Sequence, residues 1–327
     1  MKSHSPIVAC LLFLLAISAN AQDKPKAEIA RNLKKIEKPS DQKADPEQES
    51  KADDEKEEFS EILADNSYLV ENANNVGPGT LHTLNSCTVS RAPGRDTACG
   101  LTQEMSVGGG KHMFSYSASY SFLDSNRVKG IGDLAFTYRH QLTGEEAWAV
   151  VSPRFTVFVP TGNVDKGLGA GSPGFQFNLP VTKRVSESFV VNLNAGATVF
   201  PKVKGVDGEG RNIKRSLSSY NLGASVVWIA HKNFNPLIEY VENFGSEIGD
   251  TGKVVRFNEH IVSPGVGLAW KFGDFKISPG IAVPVSFSRG EVRSGILFYI
   301  GFENPFGRRP RIASADKADD PAKPTNQ

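Results

Sequence analysis

Hydrophobic residues occupy every second position through most of the chain between residues 79 and 302. In 111–122, the clearest case, aromatic and small apolar residues alternate with four serines. The same alternation recurs in 130–142, 172–183 and 187–200. A period of two is that of a β-strand, whose successive side chains point to opposite faces. The pattern therefore predicts an all-β protein.

The alternation divides this region into about 12 strands of roughly ten residues, an even number and long enough to cross a bilayer when tilted. The predicted strands are 79–87, 100–107, 111–122, 130–142, 147–159, 172–183, 187–200, 216–230, 234–243, 259–271, 275–288 and 293–302. A soluble sandwich also alternates, so the period alone does not distinguish it from a membrane barrel.

The connections between the predicted strands provide that distinction, because short and long ones alternate. The short turns are 108–110, 143–146, 184–186, 231–233 and 272–274, and the longer connections are 88–98, 161–171, 201–215 and 245–258. Outer-membrane barrels have short periplasmic turns and longer external loops. Aromatic residues also gather near the strand ends, as in an interfacial girdle. We therefore predict a transmembrane antiparallel up-and-down β-barrel in the outer membrane of a Gram-negative bacterium, with both termini in the periplasm.

The two ends of the chain differ from this body. Residues 1–21 carry a basic start, a short apolar run and small residues before a cleavage site between Ala21 and Gln22, which predicts a secretory signal peptide. A lipoprotein signal ending at Cys10 is the alternative, although Cys10 stands at the front of the apolar run. Residues 22–65 are charged and poor in aromatic residues, which predicts a disordered periplasmic tether. Residues 66–306 form the barrel, and 307–327 a disordered tail.

Composition narrows the function classes. The 327 residues include 37 basic and 36 acidic ones, so the chain lacks the basic surplus of a nucleic-acid-binding protein. A mean hydropathy of -0.29 and the absence of a 20-residue apolar run exclude a helical membrane protein but not a barrel, which spreads its apolar residues over alternate positions. With three cysteines and six histidines, neither a metal site nor any other cofactor is predicted.

Cys87 and Cys99 bracket the first long connection. Both lie in a compartment that favours oxidation, so we predict a disulfide between them, contributing about 2–3 kcal/mol by restricting the unfolded chain.

Several short motifs resemble a family of bacterial outer-membrane barrels associated with the meta-cleavage pathway of phenol degradation. The motifs are Asn66–Ala73, Thr102–Glu104, Gly130–Leu134, Tyr138–Arg139, Pro153–Phe155, Pro160–Asn163, Gly167–Gly171, Asn178–Val181 and Asn192–Gly196. The resemblance covers most of 66–302 and implies an outer-membrane barrel with a transport role.

Charged residues on the predicted inner face are candidates for a solute path: Asp133, Arg139, Arg154, Glu239, Lys271, Lys276 and Arg293. They could pair across the lumen or sort solutes by charge. Since 8 strands leave an interior filled by side chains and 16–18 leave an aqueous channel, about 12 predict a narrow, selective path. The expected function is passive uptake or efflux of a small solute, with an aromatic or otherwise apolar compound as one candidate.

Three further expectations concern partners and alternatives. The last strand, 293–300, has the spacing of the signal read by the barrel-assembly machinery, so this machinery, outer-membrane lipid and the solute are the expected partners. A closed structural or adhesive barrel is the first alternative, its lumen blocked by its own side chains or by residues 66–78 and its tether bound to a periplasmic partner. A lipid hydrolase is the second, but no serine motif stands beside a histidine, and we expect no enzyme.

Overall fold

The computed structural model describes residues 67–91, 96–123, 127–144, 146–231 and 233–306. The predicted signal peptide with its cleavage site, the tether and the C-terminal tail lie outside the described residues. Within the described residues, no helix has the length and apolar character needed to span a bilayer.

Sixteen β-strands form a single antiparallel sheet among the described residues. They are β1 (Thr80–Ser90), β2 (Thr97–Val107), β3 (His112–Leu123), β4 (Val128–Ile131), β5 (Leu134–His140), β6 (Val150–Val151), β7 (Arg154–Val159), β8 (Gly174–Ser186), β9 (Phe189–Val206), β10 (Asn212–Trp228), β11 (Phe234–Ile248), β12 (Val254–Leu268), β13 (Trp270–Phe272), β14 (Phe275–Ala282), β15 (Val285–Ser288) and β16 (Glu291–Pro305).

The sheet closes on itself, because β16 pairs with β1 from Thr80 opposite Pro305 to Ser90 opposite Gly295. Four of the wall strands are interrupted, so β4 with β5, β6 with β7, β12 with β13, and β14 with β15 each make one passage along the wall. The barrel thus has 12 antiparallel wall strands, as the alternation predicted. Closure removes the free strand edges that an open sheet would expose.

The two faces of the wall are reversed relative to a soluble barrel. Large apolar side chains point outward, with Phe114 51% and Phe177 52% exposed. Polar side chains point inward, and Asn192, Glu239 and Ser263 are fully buried. An apolar exterior around a polar interior is the arrangement of a barrel surrounded by lipid.

The barrel has two distinct ends. At the end called here the terminal end, β1 begins at Thr80, β16 finishes at Pro305 and short hairpins such as 108–111 and 273–274 connect the strands. At the opposite end, called here the loop end, residues 160–173 form the longest described connection, which contains a short 3-10 helix at Val164–Lys166.

Two of the predicted long loops are largely strand, so these predictions were wrong. Within the predicted loop 201–215, β9 continues to Val206 and β10 begins at Asn212. Within 245–258, β11 continues to Ile248 and β12 begins at Val254. The reason is that ladder hydrogen bonds join main-chain groups and require no apolar side chains. Strands can therefore extend past the apolar band, where charged residues hide the alternation.

Cys87 and Cys99 form a disulfide with an S–S distance of 2.11 Å, as predicted. They face each other directly across β1 and β2, on the outward face. The disulfide therefore joins two paired strands within the wall, three residues before β1 ends at Ser90.

Candidate functional site: the barrel lumen

Residues 67–78, called here the luminal segment, lie inside the barrel. Ser67 Oγ is 3.0 Å from Ser225 Oγ on β10, and Val70 packs against Val241 and Ile261 from the inner wall. The main-chain N–H of Ala73 donates to Thr182 Oγ1 at 2.8 Å. After Ala73 the segment returns to the terminal end, where Asn75 Nδ2 donates to the carbonyl oxygen of Gly110 at 2.8 Å and β1 begins.

One buried carboxylate anchors the start of this segment. Glu239 Oε1 accepts hydrogen bonds from the main-chain N–H groups of Tyr68, Leu69 and Val70 at 2.9, 2.9 and 3.0 Å. Successive N–H groups converging on one oxygen form a backbone nest, which favours an anionic acceptor. The wall thus fixes the segment through the Glu239 carboxyl group, which the sequence pattern placed on the inner face without giving it a role.

Side-chain amides extend this attachment. Asn194 Oδ1 accepts a hydrogen bond from the main-chain N–H of Glu71 at 2.8 Å, and Asn194 Nδ2 donates to the main-chain carbonyl oxygen of Glu71 at 2.9 Å. A neighbouring strand would offer the same two bonds. Asn192 Nδ2 donates to Ser67 Oγ at 2.8 Å. Since buried main-chain groups require partners, these inward amides replace the ladder that the segment lacks.

Arg139 holds the returning part of the segment. Its guanidinium donates to the carbonyl oxygens of Asn72 and Asn74 at 2.9 and 2.6 Å and to Asn75 Oδ1 at 2.8 Å. Arg139 is itself 6% exposed. Its three contacts use several of the five donors of the guanidinium fork.

Arg154 forms an ion pair between Nη2 and Glu71 Oε1 of the segment. The same Nη2 donates to Gln176 Oε1 at 2.8 Å, and Nη1 is 3.3 Å from Thr156 Oγ1. Within the described residues, this ion pair joins a charged side chain of the segment to an arginine of the wall.

Tyr68 occupies a notch in the wall at Gly280. A Cβ atom at Gly280 would lie 1.7 Å from the Tyr68 hydroxyl oxygen, so the ring requires glycine there. The Tyr68 hydroxyl donates to the carbonyl oxygen of Val266 at 2.9 Å, and the ring centroid lies 4.9 Å from that of Tyr299.

A cavity of about 330 Å³ remains beside the segment. It lies between the segment and the inner face of the strands from β1 to β7, with Tyr299 from β16. Its lining combines the charged side chains of Glu71, Glu104, Arg139 and Arg154 with apolar ones of Leu84 and Met113. The lumen is therefore partly filled and partly open.

The other predicted path residues are distributed over the two ends of the lumen. At the terminal end, Lys276 forms an ion pair with Glu303 at 2.6 Å, and Lys271 stands opposite Lys276 in the β13–β14 hairpin. At the loop end, Arg293 pairs with Glu291 at 2.7 Å. Of the seven candidates, the structure brings Arg139, Arg154 and Glu239 into contact with one feature, the luminal segment.

Asp133 holds the longest described connection, residues 160–173, by hydrogen bonds to its main chain. Its two carboxylate oxygens accept from the N–H groups of Gly162 and Ala170 at 2.9 and 2.8 Å. Three of the motifs behind the family resemblance, 130–134, 160–163 and 167–171, therefore meet at one place. There they fold the loop against the wall.

Sequence reasoning missed two parts of the site. Glu71 belonged to a motif of the family resemblance but was given no role. Glu104, whose Oε2 is 3.3 Å from His82 Nδ1, also belonged to such a motif, Thr102–Glu104, and was likewise given no role. The inward position of Glu104 follows from the period of β2. That of Glu71 follows from the path of the luminal segment, which depends on contacts with strands far along the chain.

Two of the described histidines lie beside tyrosine hydroxyl groups. His112 and His260 each place Nδ1 2.8 Å from a tyrosine hydroxyl, that of Tyr138 and Tyr240 respectively. A serine nucleophile requires a histidine within hydrogen-bond reach. In the part of the chain that the structure describes, no three His, Cys, Asp or Glu side chains are grouped to hold a metal.

Comparison with solved structures finds the same fold in an outer-membrane channel. The crystal structure of the COG4313 outer-membrane channel from Pseudomonas putida F1 matches with a TM-score of 0.53 and 12% identity, over 71% of this chain and 97% of that one. The NanC porin gives a TM-score of 0.40 at 10% identity, over 70% and 100% of the two chains. The CymD monoaromatic hydrocarbon channel gives 0.38 at 11%, over 71% and 90%.

The match to the COG4313 channel, with a TM-score above 0.5, supports the class of the protein by its fold, a closed 12-stranded β-barrel. No protein-family model matches the chain, and no curated protein matches it. The resemblance to the phenol-degradation family, inferred from short motifs, is therefore not shown by the comparisons.

Proposed function

We propose that this protein is a passive channel for a small solute in the outer membrane, and that the luminal segment controls its path. The apolar exterior supports the membrane location, because exposed rings such as Phe114 and Phe177 would be unfavourable in water. The short hairpins at the terminal end support an orientation with both termini in the periplasm.

The observation that carries the proposal is the way the lumen is filled. The wall side chains leave enough space for an extended chain segment and a cavity of about 330 Å³. Among the described residues, polar contacts from Glu239, Asn194 and Arg139 hold the luminal segment against the wall. Such contacts each contribute only a modest free energy, so the segment can be displaced from the wall. Its displacement would leave a polar path through the barrel.

Planar-bilayer recordings test the channel proposal. The full chain is compared with Glu239→Ala, which removes the carboxylate that anchors residues 68–70. We expect small or infrequent conductance from the unmodified protein and a larger open fraction from the variant. Absence of conductance and of liposome swelling from both proteins, each shown to be a folded barrel, would contradict the channel.

The filled lumen also favours a second candidate, a closed barrel whose residues 22–65 bind a periplasmic partner. This reading predicts that the Glu239→Ala barrel stays impermeable and that the full chain captures a periplasmic protein. Deletion of residues 23–65 would then abolish capture. Conductance that survives the deletion, together with unchanged capture, would contradict the closed-barrel reading.

A further inference from the structure

Two arginines of the inner wall stand directly opposite each other. Arg139 on β5 and Arg154 on β7 are cross-strand partners. Like charges in this position repel each other and destabilise a strand pair unless other groups compensate them. The luminal segment compensates both arginines, in two different ways, and the Glu104 carboxylate on β2 also interacts electrostatically with both.

Arg139 is compensated by neutral groups, the carbonyl oxygens of Asn72 and Asn74 and the amide oxygen of Asn75. Arg154 is instead compensated by a charge, the Glu71 carboxylate. The Arg154 Nε atom is buried and has no hydrogen-bond partner among the described residues. Arg154 therefore retains donor capacity beside a carboxylate that it already holds.

The Glu71 carboxylate is not needed to hold the segment in place. The main-chain N–H and carbonyl of Glu71 both bond to Asn194, and the Glu71 side chain is 33% exposed. It therefore borders the cavity, from which another carboxylate could reach Arg154. The arginine has two further polar neighbours, Gln176 Oε1 and Thr156 Oγ1, which orient its guanidinium.

One part of the remaining cavity lining is apolar, while Glu104 and hydroxyl groups such as those of Thr102 and Ser115 form the other part. Leu84 and Met113 line the apolar part from the wall, and the Tyr68 and Tyr299 rings, 4.9 Å apart, lie at its side. A planar guanidinium beside an apolar surface matches a ligand that carries a carboxylate on an apolar body. A volume of about 330 Å³ limits that ligand to a small one.

We propose that Arg154 is the binding site for a small monocarboxylate with an apolar or aromatic body, and that Glu71 occupies this site when no such solute is bound. The inference rests on the proposed function in that the solute must enter the lumen. An entering carboxylate displaces the Glu71 carboxylate from Arg154, while the main chain of the segment stays on Asn194. Glu71 thus acts as a tethered competitor that sets the affinity for the solute.

Equilibrium binding tests the proposal without requiring conduction. Benzoate is titrated calorimetrically into the detergent-solubilised full chain and into Glu71→Gln, which keeps the side-chain size but removes the competing charge. We expect Glu71→Gln to bind benzoate at least about tenfold more tightly than the unmodified protein does, because a charge-assisted contact of Arg154 becomes available. Benzamide, which has the same ring and no charge, should bind neither protein measurably.

The arginine is then tested in the Glu71→Gln background. Arg154→Gln should abolish benzoate binding, and Arg154→Lys should retain only part of it, because lysine keeps the charge but lacks the planar fork. Arg256→Gln, on the outward face of β12, makes the same chemical change away from the lumen and should leave benzoate binding unchanged. Heat-dependent mobility in gel electrophoresis shows that each variant is a folded barrel.

Each outcome supports or overturns the proposal. Equal binding of benzoate and benzamide, or benzoate binding that survives Arg154→Gln, would overturn it. Absence of benzoate binding by the folded Glu71→Gln protein would overturn it as well. Bilayer recordings keep the two proposals apart: benzoate binding through Arg154 with no conductance would refute the channel alone, and conductance without benzoate binding would refute the carboxylate site alone.

Discussion

Oε1 of Glu239, in the middle of β11, accepts the main-chain N–H of Val70 at 3.0 Å, although 169 positions separate the two residues. Tyr68 and Leu69 donate to the same oxygen. The wall therefore holds the start of the luminal segment by a carboxylate that lies far along the chain from β1, the strand that follows the segment. Docking of the segment thus depends on completion of the barrel.

Replacement of Glu239 by alanine is expected to release the segment. Three N–H groups, one of them in a buried and two in partly buried hydrogen bonds, would lose their acceptor, which we expect to weaken docking by about 3 kcal/mol, or roughly a hundredfold. The measurement is the open fraction in bilayer recordings together with chymotrypsin cleavage after Tyr68. Glu259→Gln is the matched control, because Glu259 is also a buried carboxylate but bonds to Ser286 and Asn243. An equal effect of both variants would contradict a specific anchor.

Gly280→Ala is expected to displace Tyr68. The added methyl group would overlap the Tyr68 ring, and overpacking of this kind costs about 1–3 kcal/mol. We expect a larger open fraction in bilayers and altered tyrosine near-ultraviolet circular dichroism. Gly144→Ala serves as the control, since a Cβ at Gly144 meets no atom within 4 Å. Unchanged spectra and conductance for Gly280→Ala would show that the ring does not depend on this notch.

Asp133→Ala is expected to loosen the loop at 160–173. Its carboxylate accepts two main-chain hydrogen bonds from that loop, and their loss should cost about 1–3 kcal/mol. Limited proteolysis with trypsin at Lys166 measures the effect. Glu209→Ala removes an exposed carboxylate from the connection between β9 and β10 and should leave cleavage at Lys166 unchanged. Equal cleavage rates for both variants would indicate that Asp133 does not hold the loop.

Removal of the disulfide is expected to lower stability without opening the lumen. The double variant Cys87→Ser with Cys99→Ser removes a crosslink that spans 12 positions, worth about 2–3 kcal/mol. The temperature at which the folded band is lost in gel electrophoresis should fall, while conductance should not change because the pair faces outward. Two alkylatable thiols in the unreduced protein, counted by mass spectrometry, would contradict the disulfide.

The period of two was sufficient to predict the wall, because each residue's face is a local consequence of strand geometry. It also assigned Arg139, Arg154 and Glu239 to the inner face. The strand ends were harder to predict: β9 continues to Val206 through lysines that obscure the apolar pattern. The alternation of side chains indicates where lipid surrounds the barrel, but it does not indicate where main-chain pairing stops.

By itself, the sequence determined a closed barrel of about 12 strands with an apolar exterior, together with the pairing of Cys87 and Cys99. Only the tertiary structure decided what the lumen contains. The position of Glu71 beside Arg154 and of Tyr68 beside Gly280 depends on contacts between residues more than 80 positions apart, which no local periodicity encodes. A barrel brings such residues together only when β16 pairs with β1 and closes the wall around the luminal segment.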